Sequence, residues 1–179
     1  HPGIKILFCC PREEQADFFV SDRLIPAIQH SPFVRRVLIG GGQRRLSGRK
    51  LVFANGSRVF VRSAFNTADA ARGVSADVLI VDEFQDAAPG NLPVLMATLS
   101  HSTRKQVILT GTAKGVENQL DVTFRQSTAC EWLVQCTQCA DRVLLDEKVM
   151  GPHHPICPKC GNKLEIQSGL WVPRNPESK

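Results

Sequence analysis

The 179-residue sequence holds no run of 18 apolar residues and no charged stretch leading through an apolar one to a small-residue cleavage site. Neither a membrane span nor a secretory leader is supported, and a soluble, intracellular protein is expected. There is no internal repeat and no low-complexity tract, and only the final RNPESK reads as a frayed end or linker. The seven cysteines make no disulfide framework, because the count is odd and four of them fall in two C-x-x-C units, which suits a reducing compartment. No G-x-x-x-x-G-K-[ST] loop occurs, so the usual cradle for phosphates is missing. The two nearest approaches both fail. In GGGQRRLSGRK, Gly48 is followed by Arg49 and Lys50 by Leu51, and in GTAKGVE the glycine spacing is wrong. The chain starts at His1 and reaches its first apolar run at once, so it reads as a piece of a longer polypeptide.

What is present is a basic chain, with a net charge of +5 and a pI near 9.0. That balance favours a polyanionic partner. The densest basic cluster, RRVLIGGGQRRLSGRK at 35–50, reads equally well as a solvated glycine-rich loop. The length fits one domain or one and a half, with enough apolar residues to bury a core.

Ile4 to Cys10 is a short apolar run closed by Pro11 and reads as a buried strand. Ala16, Phe19, Val20, Leu24 and Ala27 follow at helical spacing, in a helix that Pro26 should weaken near its end. Asn55-Gly56 between two apolar runs predicts a hairpin with both turn residues at positive φ. Val78 to Val81 and Gln106 to Leu109 read as further buried strands. Leu92, Leu95, Met96 and Leu99 mark a helix with Asn91 as its cap, and Val116, Leu120 and Phe124 mark another. Strands alternating with helices predict an α/β domain with a mainly parallel sheet. From Ala129 the texture changes to short strands, turns and cysteines, which places a boundary between 1–128 and 129–179.

Two constellations carry chemistry. In ADVLIVDEFQDA, four apolar residues deliver Asp82 and Glu83 to the carboxyl end of a strand, where open α/β sheets bind ligands. In a nucleotide hydrolase the first such acid holds magnesium and the second polarises the attacking water. A capped turn with two solvated acids would look the same. The strand at 106–109 reaches that edge with Thr110, Gly111 and Thr112, which suit a γ-phosphate or its magnesium, or an ordinary strand-to-helix turn. The second constellation is Cys136-x-x-Cys139 and Cys157-x-x-Cys160, with 17 residues between the pairs. This is the spacing of a closed four-thiolate zinc site, which is structural because no coordination position is left open. His153 and His154 are candidate substitutes for a cysteine but read as solvated loop residues. Cys9, Cys10 and Cys130 read as packing residues.

In order, LFCCPREEQADFFVSDRLIPAI, the FANGSRV hairpin, AARGVSADVLIVDEFQDA, ILTGTAKGVENQL and FRQST followed by a tryptophan and C-x-x-C resemble the large subunit of tailed-phage terminases. These are the ATP-driven DNA-packaging motors. The resemblance covers most of the chain. It implies part of a P-loop core of the additional-strand type, lacking the Walker A strand and followed by a small zinc-ribbon-like β unit, with Asp82 as the Walker B magnesium ligand and Glu83 as the catalytic glutamate. Thr110, Gly111 and Thr112 fall at the motif coupling hydrolysis to movement, and Arg72 where an arginine finger can stand. The alternative for Arg72 is a surface pair with Asp69 or Asp77. Also implied are ATP and Mg2+ in the complete protein, Zn2+ in the ribbon, and double-stranded DNA, the portal and the terminase small subunit as partners. The expected setting is a homo-oligomeric ring in the cytoplasm of the bacterial host.

The departures are the missing phosphate loop and the absence of an acidic nuclease cluster. The resemblance therefore implies that the Walker A strand and helix lie upstream of His1 and that the chain alone is inactive. It also implies that the strands near 4, 78 and 106 are neighbours, with 106–109 at the exposed edge. Two other readings remain. VDEFQDA is similar to motif II of superfamily 1 DNA helicases, where the glutamine (Gln85 here) helps couple ATP to DNA, although a strand ending in Gly-Asp and a nearby glutamine should then follow. A zinc-ribbon module that binds nucleic acid or protein and never touches ATP is the reading of a different class.

Overall fold

In the run KILFCC, alternate residues serve opposite faces of one strand, β1 (Lys5–Cys10). Leu7 and Cys9 join one buried cluster with Leu79, Val81, Phe84, Leu95 and Leu99, and Phe8 and Cys10 join a second with Ala16 and Val20. A strand covered on both faces needs no polar alternation, which is why it reads as a continuous apolar run. The computed structural model describes residues 2–36, 48–64 and 67–178, so most of the basic cluster at 35–50 lies outside the described residues.

The chain divides into two compact units, His1–Leu120 and Asp121–Lys179, and the helix Gln119–Gln126 spans the division. The first unit is built on a five-stranded sheet in the order β2-β3-β1-β4-β5, with β2 (Lys50–Val52), β3 (Arg58–Ser63), β4 (Val78–Val81) and β5 (Gln106–Leu109). All pairings are parallel except β2 with β3. The expected neighbours β1, β4 and β5 are adjacent, and β5 is an edge strand. The amino ends of these three strands are tied by Asp77. Its carboxylate accepts from the Lys5 backbone N–H at 2.9 Å and from the Ser102 hydroxyl at 2.7 Å. The Ser102 and Lys5 hydrogen bonds hold the Asp77 carboxyl below its usual range.

On one face of the sheet, the segments Glu13–Phe18, Phe19–Leu24 and Ile25–His30 run end to end as one helix with a π-type middle. Pro26 therefore does not stop the helix. The N–H of Ile25 reaches back five residues to the Val20 carbonyl, and this wider turn takes up the proline, which lacks a donor of its own. The other face carries the helix Asn91–Ala97. Asn91 is not its cap. Its side chain is buried and donates to the Ala64 carbonyl at 3.1 Å, tying the helix to the chain after β3.

Two other local expectations shift. The hairpin turn has positive φ at Gly56 only, with the Gly56 N–H bonded to the Phe53 carbonyl at 3.0 Å. This is a three-residue loop with a single left-handed glycine rather than a two-residue turn. The last helix starts at Gln119, leaving Val116 exposed outside it, because the Asn118 side chain caps the Leu120 N–H at 3.0 Å.

The second unit holds an antiparallel three-stranded sheet in the order β7-β6-β8, with β6 (Cys130–Gln135), β7 (Arg142–Leu144) and β8 (Leu170–Pro173). Its buried cluster is small: Val134, Cys136, Val143, Val149, Cys157 and Leu164. Trp132 and Trp171 meet edge to face across β6 and β8 at 5.3 Å. The fold is thus mixed α/β with a mostly parallel sheet and a separate small sheet carrying the cysteines.

Candidate functional site

Because β4 and β5 are parallel and in register, Val81 and Leu109 end side by side and release the next residues at one edge of the sheet. The Asp82 N–H still bonds to the Cys9 carbonyl at 2.8 Å, so the aspartate starts from a fixed backbone. The chain then turns at Glu83, whose φ of 50° and ψ of 44° lie in the left-handed region. For a non-glycine residue that conformation costs on the order of 1 kcal/mol and persists only where its surroundings enforce it. Here the next residue does so, since Phe84 is fully buried and its N–H bonds to the Thr110 carbonyl at 2.9 Å.

The strand β5 answers from the other side. The Thr110 N–H bonds to the Val81 carbonyl at 2.9 Å, and the Thr110 hydroxyl donates to Asp82 Oδ1 at 2.8 Å. Among the described residues, Asp82 Oδ2 has no protein donor. Asp82, Glu83 and the Thr110-Gly111-Thr112 segment are thus brought together at one edge. Asp82 and Glu83 also line a cavity of about 290 Å³ with Cys10, Gln15, Phe18 and Arg23. Burial pushes the thiols of Cys10 and its neighbour Cys9 up to about 11 and about 12.

Gln85 is the residue that the strand pattern did not single out. It is buried, and its Nε2 donates to Glu83 Oε2 while its Oε1 accepts from the Thr112 N–H at 3.2 Å. A Cβ on Gly111 would stand 2.0 Å from that same Oε1, so the glycine is what lets the loop lie against the amide. In the sequence it is marked only as the glutamine of VDEFQDA, through the likeness to helicase motif II.

Arg72 is not brought to this edge. It follows the short helical turn Asp69–Ala71 and lines a separate depression with Ser75, Thr98 and His101, residues that precede β4 and β5 rather than follow them. Its Nε lies 2.6 Å from Asp69 Oδ1, with both side chains largely exposed.

In the second unit the four sulfurs of Cys136, Cys139, Cys157 and Cys160 all lie within 4.8 Å of one another. The Cys136–Cys160 and Cys139–Cys157 separations are 3.6 and 3.7 Å. Four thiolates at zinc–sulfur bonds of about 2.3 Å in a tetrahedron stand about 3.8 Å apart, so the residues present fit such an ion. The two knuckles are alike. Ala140 N–H bonds to the Cys136 carbonyl at 2.9 Å and Gly161 N–H to the Cys157 carbonyl at 2.9 Å, with positive φ at Ala140 and Gly161. The backbone N–H groups of Cys139 and Gln138 draw the Cys136 thiol down to about 6. Cys130, His153 and His154 are not members of the cluster.

No helix among the described residues is long and apolar enough to cross a membrane. No curated protein matches the chain at a significant level. Residues 1–175 match the family described as phage terminase large subunit gpA, ATPase domain. The chain belongs to that family.

Proposed function

We propose that this chain forms the hydrolytic half of the ATP site in a terminase motor that couples ATP hydrolysis to the packaging of double-stranded DNA. The observation that carries the reading is the clamp at the carboxyl edge of β4 and β5. One acid is hydrogen-bonded to Thr110, and the next is turned out of the strand by an enforced left-handed residue. Asp82 would hold magnesium, with Oδ1 oriented by Thr110 and Oδ2 open to a ligand or a water. The ion supplies neutralisation of phosphate charge when bound. Glu83 orients the attacking water and accepts its proton. The Thr110–Thr112 segment reads the γ-phosphate and passes its presence or loss into the loop that leads to the helix Gln119–Gln126.

The open edge of β5 supports a further strand, carrying the phosphate-gripping loop, from a part of the polypeptide N-terminal to these residues. The ATPase part is 1–128, and residues 129–179 form a zinc ribbon in which Cys136, Cys139, Cys157 and Cys160 hold one structural zinc. The family match favours the terminase reading over the helicase one. DNA, the portal and the small subunit are then the partners, in a homo-oligomeric ring in the host cytoplasm. Arg72 lies apart from its own acids, which suits a role in the site of a neighbouring subunit, opposed at rest by its pair with Asp69.

The reading is tested by the binding of a non-hydrolysable ATP analogue to this chain and to a version extended upstream. The extended version is expected to bind with magnesium and the 179-residue chain to bind weakly or not at all, with negligible ATPase activity. Failure of both to bind would favour a zinc-ribbon binding module without ATP chemistry.

A further inference from the structure

A glutamine satisfies both neighbours of position 85. A backbone N–H can only donate and an ionised carboxylate can only accept, so the residue between Thr112 and Glu83 must present an acceptor at one end and a donor at the other. Gln85 does this, with Oε1 accepting from the Thr112 N–H at 3.2 Å and Nε2 donating to Glu83 Oε2. Both partners also fix which way round the amide lies. Glutamate would lose the donor, asparagine would fall short, and methionine would fill the volume without either bond.

The contact is tight on its second side as well. Gly111 approaches so closely that a Cβ there would meet Gln85 Oε1 at 2.0 Å and its Cδ at 3.2 Å. The main chain of Gln85 adds a third tie, because its carbonyl accepts from Asn118 Nδ2 at 3.4 Å and Asn118 in turn caps the Leu120 N–H. The neighbouring Asp86 is paired with Lys114 of the same loop at 2.6 Å. The segment 110–118 is thus tied to the acidic turn at Asp82, Phe84, Gln85 and Asp86.

We propose that Gln85 is a positioning residue, which holds the Glu83 carboxylate in its left-handed turn against the Thr112 backbone so that movement of the 110–112 segment moves the carboxylate. The inference rests on the reading of Glu83 as the group that activates water. It adds a mechanical link. A shift of the segment when phosphate binds or leaves changes the hydrogen bond at Thr112, turns the amide, and alters the donor that Glu83 faces. A 1 Å misplacement of a catalytic group can cost about 10²-fold in rate.

The test uses a full-length terminase large subunit containing this chain, with Gln85→Ala, Gln85→Met and Gly111→Ala measured beside Glu83→Gln. Gln85→Ala and Gln85→Met are both expected to lower kcat by about 10- to 100-fold while KM for ATP changes less than about twofold, because positioning and not binding is lost. Gly111→Ala, acting on the amide from an exposed loop, is expected to reproduce the kcat loss in wild-type protein and to add little in the Gln85→Ala background. Normal kcat in Gln85→Met would reduce Gln85 to a space-filling residue and overturn the proposal. So would losses in kcat, KM and thermal stability that run in parallel. If Glu83→Gln kills turnover while Gln85→Ala does not, the inference fails and the ATPase reading stands. If Glu83→Gln retains turnover, the reading beneath it fails.

Discussion

Cys157→Ser removes one sulfur from a site on which the second unit depends for much of its core. Two of the six members of its buried cluster, Cys136 and Cys157, belong to the thiol group. The sulfur separations of 3.6 and 3.7 Å match those of a zinc tetrahedron, and the proposed zinc would couple metal binding to folding of this unit. Structural zinc binds with an apparent 10–16 kcal/mol or so near neutral pH, and sharing that among four ligands gives about 2.5–4 kcal/mol for one thiolate. A serine hydroxyl is a hard, neutral donor and recovers little of it. The expected loss is about 100-fold or more in zinc affinity, since 1.4 kcal/mol is about tenfold. Competition with a chromophoric chelator measures the affinity, and amide exchange locates the damage. Protection should fall in β6, β7 and the 136–164 segment, while β1, β4 and β5 keep theirs. Cys130→Ser, outside the cluster, should retain its metal. Wild-type protein purified without chelator and holding no zinc would refute the reasoning, as would a Cys157→Ser variant with unchanged affinity.

Asp77 makes the first unit acid-sensitive. Its lowered pKa contributes stability that is present above the ordinary carboxylate range and lost as pH falls through the lowered value, so Ser102→Ala should flatten the acid limb of a stability curve measured below about pH 4. Gly169→Ala should destabilise the second unit by about 1–3 kcal/mol, because the new Cβ would stand 2.5 Å from the Trp132 ring and 2.9 Å from the Leu133 carbonyl. Thermal melts read this, and an unchanged melt would contradict the packing of Trp132. For Arg72, mixing Arg72→Ala with Glu83→Gln subunits should restore part of the ATPase activity if each lesion falls in a different composite site. No recovery from co-assembled subunits would leave Arg72 to its pair with Asp69.

The strands carrying the acids were legible because burial on both faces leaves an unbroken apolar run, and Val78–Val81 ends where Asp82 begins. The cysteine quartet was legible because two equal spacings suffice to aim four sulfurs at a point. Gln85 was marked only through the likeness of VDEFQDA to helicase motif II, since its bond to the Thr112 N–H comes from a loop 27 residues later in the chain. Asn91 read as a cap by type and position but spends its side chain on Ala64 across the fold. Arg72 shows the complementary limit. A motif places it ten residues before Asp82 in the chain, whereas its side chain packs beside residues leading into the strands, away from those leaving them. Pro26 reads as a weak point near the end of the helix, whereas the helix passes it after the wider turn at Phe19–Leu24 and runs on to His30.

Glu83 is the group proposed to activate water for ATP hydrolysis. The most direct test of that role is steady-state ATPase and nucleotide-binding measurement on a full-length terminase large subunit carrying Glu83→Gln. The amide keeps the size of the side chain but cannot take the proton, so turnover should fall by about 10²–10⁴-fold while magnesium-ATP still binds. Near-normal turnover in that variant would contradict the account.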